Sequence, residues 1–267
     1  MYYSVENMDY WYEIHGEGIP VVLFHGFTGS SATWQTLTGQ DLFDVKFITI
    51  DLPGHGRTKG IAKTMNACCT DLHQLFQELG LKKFFLAGYS MGGRTALSYA
   101  IKYPETIQGL LLESASPGLQ VESERKARAE HDQLLAERIE EEGVEAFIDY
   151  WENIALFSSQ KKLPLDKQEE IRKERLLHTA EGLASSLRGM GTGAQASNWD
   201  KLNELHFPVL LLAGSLDTKF VKLNESMLQR LPNAVLEVCQ GAGHAIHVEK
   251  PQIFNELLVA FAKSYTS

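Results

Sequence analysis

Short apolar runs alternate with amphipathic stretches along most of this chain. The alternating Asp9-Tyr10-Trp11-Tyr12-Glu13-Ile14-His15 reads as a strand entering a Gly16-Glu17-Gly18 turn, and Pro20-Val21-Val22-Leu23-Phe24 reads as the next strand. Residues 45–50, 84–87, 110–112, 209–213 and 235–238 continue the series. Near-continuous apolar strands of this kind are what a parallel sheet requires when both of its faces are covered. Helical periodicity falls between them, over 67–79, 95–103, 222–230 and 252–262. Strand and helix in alternation predict an α/β fold, with a mostly parallel central sheet and helices on both faces.

One stretch departs from the alternation. From about 121 to 199 no strand-like run occurs, only charged amphipathic segments such as 123–142 and 165–177. It follows the strand that ends at Glu113 and precedes the one that starts at Pro208, so it reads as a helical lid over the C-terminal edge of the sheet. That edge is where open α/β sheets hold ligands. No internal repeat or low-complexity linker interrupts the 267 residues, and the expected organisation is one domain over 1–267 with a lid insertion at about 121–199.

The candidate chemistry centres on Gly88-Tyr89-Ser90-Met91-Gly92-Gly93, directly after one strand and directly before one helix. A sharp strand-to-helix turn strains the serine backbone, and side chains larger than hydrogen at the flanking glycines would collide. A serine hydroxyl is a weak nucleophile or base by itself and needs an imidazole to take its proton and a carboxylate to orient the imidazole. Asp217, after the strand 209–213, and His244, after the strand 235–238, fall in loops at the same sheet edge. The order Ser, Asp, His is that of the α/β-hydrolases. His247 competes with His244 as the base, but its place at the start of the last helix favours packing or capping. Glu113 competes with Asp217 as the acid, because it too ends a central strand. His25 and His55 lie in turns after strands and read as scaffold. In this fold the oxyanion hole comes from the backbone N–H after the nucleophile and one in an earlier loop, which here are Met91 and Phe27.

Composition narrows the partners. Apolar residues make up 44% and charged residues 22%, as in an ordinary globular protein. A net charge of −9 and pI near 5.5 give no general attraction for nucleic acid or anionic membranes, yet a pocket can still concentrate Arg and Lys locally. The N-terminal residues lack a basic and an apolar signal region, no apolar run is long enough to span a bilayer, and the cytoplasm is the expected compartment. Cys68, Cys69 and Cys239 form neither a metal-spaced set nor an even disulfide framework. Gly191-Thr192-Gly193 lies in the helical insertion without the strand that a dinucleotide motif needs, and no cofactor is implied.

The motifs together resemble one family. Leu23-Phe24-His25-Gly26-Phe27-Thr28-Gly29-Ser30, Asp51-Leu52-Pro53-Gly54-His55-Gly56, Gly88-Tyr89-Ser90-Met91-Gly92-Gly93-Arg94, Ser116-Pro117-Gly118-Leu119, Leu216-Asp217-Thr218-Lys219-Phe220 and Gly243-His244 are similar to the 2-succinyl-6-hydroxy-2,4-cyclohexadiene-1-carboxylate synthases of menaquinone biosynthesis. The arginine after the double glycine, the Pro-Gly-Leu run before an Arg-containing helix, and Asp-x-Lys-Phe are the more discriminating parts. The resemblance implies a lyase that eliminates pyruvate from an enolpyruvyl cyclohexene carboxylate, with Ser90 as a base. It also implies Arg94, Arg128 and Arg175 as anchors for a small anionic substrate with several carboxylates, Tyr89 and Trp151 as pocket wall, and Lys219 nearby. Arg125, Arg172 and Arg188 could take the roles of the two lid arginines. Two other classes use the same residues: a carboxylic-ester or thioester hydrolase with Ser90 as nucleophile, and a non-catalytic receptor that keeps the cavity.

Overall fold

A computed structural model describes residues 1–39 and 44–266. Eight strands form one sheet: β1 (Tyr2–Val5), β2 (Met8–His15), β3 (Ile19–Phe24), β4 (Val45–Ile50), β5 (Phe84–Tyr89), β6 (Ile107–Glu113), β7 (Val209–Gly214) and β8 (Ala234–Cys239). Their spatial order is β1-β2-β4-β3-β5-β6-β7-β8. The first two strands pair antiparallel and the remainder run parallel. The strand β1 has no counterpart in the sequence reading, because the turn joining it to β2 uses Glu6 at φ 49 and carries no glycine signal.

The α-helices are α1 (Gln35–Thr38), α2 (Met65–Glu78), α3 (Met91–Lys102), α4 (Glu122–Trp151), α5 (Leu165–Leu176), α6 (Ala180–Met190), α7 (Thr218–Leu228), α8 (Ile246–Glu249) and α9 (Pro251–Ser264). The helical periods of the sequence lie on α2, α3, α7 and α9, with ends shifted by a few residues. Within α4, Gly143 at φ +84 breaks the helical path, which is why the amphipathic pattern stops at Glu142.

Both sheet faces are covered, and β5 shows how the apolar runs serve that purpose. Its residues are all buried. Phe84 and Leu86 pack into one core with Phe24, Phe76 and Tyr99, while Phe85 and Ala87 face the opposite core with Trp34 and Phe254. Each large side chain so buried contributes about 1.5–3 kcal/mol. The edge strand β8 alternates half-buried and exposed positions, as one covered face requires. Between β6 and β7 the described elements are all helical, and α4 packs on α6 through Leu135, Ile139, Phe147, Leu183 and Leu187. Among the described residues no helix is long and apolar enough to cross a membrane.

Candidate active site

The turn from β5 to α3 holds Ser90 at φ 51, ψ −106, a conformation few non-glycine residues adopt. The surroundings impose it. A Cβ on Gly92 would strike the backbone carbonyls of Phe24 and His25, and one on Gly88 would strike Gly92, so the helix can press against the sheet only with glycine at both places. The Ser90 N–H donates to the Glu113 carbonyl at 2.8 Å, fixing the turn to β6. Strain of this type persists only where its environment over-determines it.

The Ser90 hydroxyl lies 3.1 Å from His244 Nε2, and His244 Nδ1 lies 2.7 Å from Asp217 Oδ2. Because the carboxylate can only accept, Nδ1 carries the proton and Nε2 is left to accept from Ser90. Both partners of the imidazole are held by backbone. Asp217 Oδ1 accepts from the Phe220 N–H at 3.3 Å, capping α7, and the Leu216 N–H donates to the Ala242 carbonyl at 2.9 Å, tying the aspartate loop to the histidine loop. Phe220 and Phe157 pack edge-on against the His244 ring.

The competing residues pair with each other instead. His247 Nδ1 is 2.9 Å from each Glu113 carboxylate oxygen, and the His247 backbone N–H also donates to Glu113 at 3.0 Å. Both side chains are buried, and the His247 ring packs against Tyr89 and Trp34. Glu113 thus caps α8 and holds the segment that follows His244, as the packing or capping expectation for His247 required.

The first loops are positioned by neutral imidazoles. His25 Nδ1–H donates to the Gly26 carbonyl at 2.7 Å while its Nε2 accepts from the Leu52 N–H at 2.9 Å. His55 and His178 continue a row of rings beyond it, tilted and edge-on, with successive centroids 5.1 and 5.2 Å apart. Burial holds all three pKa values below the usual histidine value, His55 most strongly, with Asp51 and Glu174 opposing this at His25 and Asp51 at His178. Below the unfolded value of about 6.5 the unfolded chain therefore binds protons that the folded chain refuses, and stability falls as pH drops. The unfolding free energy is expected to decline between pH 6.5 and 5.5, by up to about 1.4 kcal/mol per pH unit for each group, with the melting temperature falling alongside it, and His55→Asn is expected to flatten the decline. A flat melting temperature over that interval in the parent protein would exclude the effect.

Beside Ser90, neither the Phe27 nor the Met91 N–H has a hydrogen-bond partner among the described residues, and both residues line the same cavity as Ser90 and His244. Met91 opens the twelve-residue α3, so its N–H lies at the positive end of a helix dipole. Phe27 is braced from the lid by Trp151 and Phe147, at 5.4 and 6.1 Å between ring centroids. The lid is itself fastened by two carboxylates. Glu174 accepts from the Ser30 N–H and hydroxyl and from the Thr33 hydroxyl, and Glu249 accepts from the Gly243 N–H and the Ser159 hydroxyl. No sequence signal singled out either glutamate, since each reaches its lid or loop partner, Glu174 to Ser30 and Thr33 and Glu249 to Ser159, across a long chain separation.

The cavity encloses about 250 Å³. Arg94, Arg128 and Lys219 stand in its wall with Tyr89, Trp151 and Ser90, and no aspartate or glutamate lines it among the described residues. Arg94 is 8% exposed, and burial, then Arg128, pushes its pKa down to about 10, which leaves it cationic at neutral pH. Its Nη1 donates to the Met190 carbonyl and to Gln195 Oε1, both at 2.9 Å. Arg128 pairs with Asp132 at 2.7 Å.

Known proteins resemble this chain in sequence and fold. A family described as alpha/beta hydrolase fold matches residues 19–251. The putative 2-succinyl-6-hydroxy-2,4-cyclohexadiene-1-carboxylate synthase of Bacillus subtilis (strain 168) is 44% identical, over 91% of this chain and 90% of its own. The synthase of the same name from Salmonella arizonae is 33% identical, over 88% of this chain and 90% of its own. The chain belongs to this synthase family within the α/β-hydrolase fold. The solved structure of MenH from S. aureus superposes with a TM-score of 0.92 at 35% identity, covering 96% of this chain and 99% of that one. A thermophilic esterase from Thermogutta terrifontis superposes at 0.86 with 29% identity, covering 97% and 95%.

Of the anchors that the synthase resemblance implied, the fold brings Arg94, Arg128, Lys219, Tyr89 and Trp151 to one cavity and leaves Arg175 out of its wall. Arg175 lies over the Phe157 ring at 4.9 Å, donates to Gln160 at 3.1 Å, and lines a separate groove within the lid. The aromatic face and neutral acceptor already satisfy it, and Phe157 stands on the cavity side. The substitutes considered for the lid arginines are engaged elsewhere: Arg125 donates to the Leu119 and Gln120 carbonyls, Arg172 pairs with Asp149 and Glu152, and Arg188 with Glu140. Gln195, which the sequence reading passed over, meets Arg94 from a loop 101 positions away.

Proposed function

We propose that this protein eliminates pyruvate from 2-succinyl-5-enolpyruvyl-6-hydroxy-3-cyclohexene-1-carboxylate, giving 2-succinyl-6-hydroxy-2,4-cyclohexadiene-1-carboxylate in menaquinone biosynthesis. The observation that carries this reading, beside the family, is a cavity walled, among the described residues, by three cationic side chains and no carboxylate in a chain of net charge −9. A neutral ester gains nothing from such a wall, whereas a substrate with several carboxylates is held by it.

In this reading Ser90, Asp217 and His244 work as a triad, with Ser90 as base. His244 Nε2 takes the Ser90 proton as Ser90 Oγ removes the proton from the ring carbon bearing the succinyl group. The electron pair moves onto the succinyl ketone oxygen, where the free N–H groups of Phe27 and Met91 stabilise it. Its return through the ring double bond breaks the carbon–oxygen bond to the enolpyruvyl group. The departing enolate takes the proton now on the His244–Ser90 pair and becomes pyruvate. No water is consumed. The chain acts as one α/β-hydrolase domain whose lid, at about 121–199, closes the cavity, and the cytoplasm is the compartment this reading assigns.

Assay of the purified protein with the enolpyruvyl substrate and coupled pyruvate detection tests the proposal. Steady pyruvate release without an acyl-enzyme is expected. Absence of pyruvate together with rapid ester turnover would replace it with the hydrolase reading, which the esterase neighbour favours. The two acid–histidine pairs also separate by function. Asp217→Asn is expected to lower kcat by roughly 10³–10⁴, because the imidazole loses its orienting acceptor. Glu113→Ala is expected to cost about 3–5 kcal/mol of stability by stranding buried His247, measured by denaturant unfolding, with kcat in the folded fraction lowered less than tenfold. A reversed order would assign the acid to Glu113.

A further inference from the structure

A buried ion is ordinarily matched by an opposite charge, because desolvation penalises an ion left alone. Arg94 departs from that rule. Its side chain is buried, and both of its hydrogen-bond acceptors among the described residues, the Met190 carbonyl and Gln195 Oε1, are neutral. The carboxylate of Asp132 is already engaged by Arg128 Nε at 2.7 Å and by the Gly193 N–H at 3.3 Å.

Gln195 is the informative partner. It is 2% exposed, and its Nε2 has no hydrogen-bond partner among the described residues. The amide therefore leaves a buried donor unsatisfied while its oxygen serves Arg94, an arrangement that costs stability. Glutamate in the same place would present a second oxygen instead of the orphaned donor and would offset the Arg94 charge. The groove on the far side of Gln195 carries Lys102 and Lys201, which favour a carboxylate there as well. The hydrogen-bond and charge-pairing terms favour glutamate, with the desolvation of a second buried ion opposing them, yet the residue is glutamine.

We infer that Gln195 is a specificity-determining positioning residue, which fixes the Arg94 guanidinium through a neutral oxygen and so keeps its full positive charge available to a carboxylate of the substrate. Gln195 stands behind Arg94, outside the cavity wall, and acts through it. The inference rests on the proposed reading that the cavity receives a substrate with several carboxylates.

Two variants test it, Gln195→Glu and Gln195→Met, each measured for melting temperature, for KM and kcat in pyruvate release, and for binding of phthalate by calorimetry. Gln195→Glu is expected to melt at or above the parent temperature while KM rises and phthalate affinity falls by at least about tenfold, the size of one charge-assisted contact. The loss falls in KM more than in kcat. Gln195→Met removes a hydrogen bond but leaves Arg94 uncompensated, so its KM is expected to rise less than that of Gln195→Glu. A purely structural role predicts the opposite order, since glutamate keeps the hydrogen bond that methionine lacks. Parent-like KM and phthalate affinity in Gln195→Glu, or a larger loss in Gln195→Met, would overturn the inference. If the parent binds phthalate but releases no pyruvate, the proposed reaction fails while the phthalate series still reads the Arg94 charge; if it does neither, both fall.

Discussion

Ser90→Gly is expected to abolish turnover and to raise the melting temperature. The two effects have separate causes. Ser90 sits at φ 51, ψ −106, and strain in such sparsely populated conformations costs about 1–3 kcal/mol, which glycine relieves. Part of that gain is offset by the greater freedom of glycine in the unfolded chain, about 0.5–1 kcal/mol. The net rise should amount to a few degrees, since about 1 kcal/mol moves the midpoint by roughly 2–4 °C in a domain of this size. Loss of the hydroxyl removes the cavity group that His244 Nε2 meets at 3.1 Å, and kcat/KM should drop by at least about 10³. Ser90→Ala provides the control, because it loses the hydroxyl but keeps a Cβ in the strained turn. It should be as inactive as the glycine variant and melt several degrees below it. Thermal unfolding and pyruvate release, measured on both variants, check the pair; equal melting temperatures would show that the elbow stores no usable strain.

The second large effect is expected at Arg94. Its guanidinium is buried in the cavity wall with no carboxylate hydrogen-bonded to it among the described residues, so a bound carboxylate would complete it. A hydrogen bond to a charged group contributes about 1.5–3 kcal/mol, and Arg94→Ala should therefore lower kcat/KM by roughly 10–150-fold, mainly through KM. Arg57→Ala is the matched comparison. Arg57 lies over the Trp11 ring, pairs with Glu13 at 3.4 Å, and lines a groove apart from the reaction cavity. Its removal should change kcat/KM less than about twofold, as for other exposed ion pairs. Arg94→Lys should fall between, because an ammonium keeps the charge but cannot reproduce the planar hydrogen bonds to Met190 and Gln195. Equal losses at Arg94 and Arg57, in steady-state kinetics with the enolpyruvyl substrate, would remove Arg94 from the binding site.

The features legible in the bare chain are local and periodic. Strand and helix alternation predicted the α/β sheet, since residues such as Phe84 and Phe85 must be apolar whichever face they meet. Gly88, Gly92 and the intervening Ser90 marked the elbow, because only glycine permits that approach of helix to sheet. The loops carrying Asp217 and His244 were legible because each follows a strand to the same edge. The tertiary structure alone decided which acid meets which histidine: Glu113 and Asp217 end neighbouring strands, and only the fold shows Glu113 on His247 and Asp217 on His244. It also sorted the lid arginines, bringing Arg128 to the cavity and leaving Arg175 against Phe157, because helix rotation and packing within the lid have no period that the sequence exposes. The partners of greatest consequence, Gln195 to Arg94 and Glu249 to Ser159, join side chains and loops by single hydrogen bonds. A hydrogen bond depends on distance and direction between groups far apart in the chain, and spacing along a sequence carries neither.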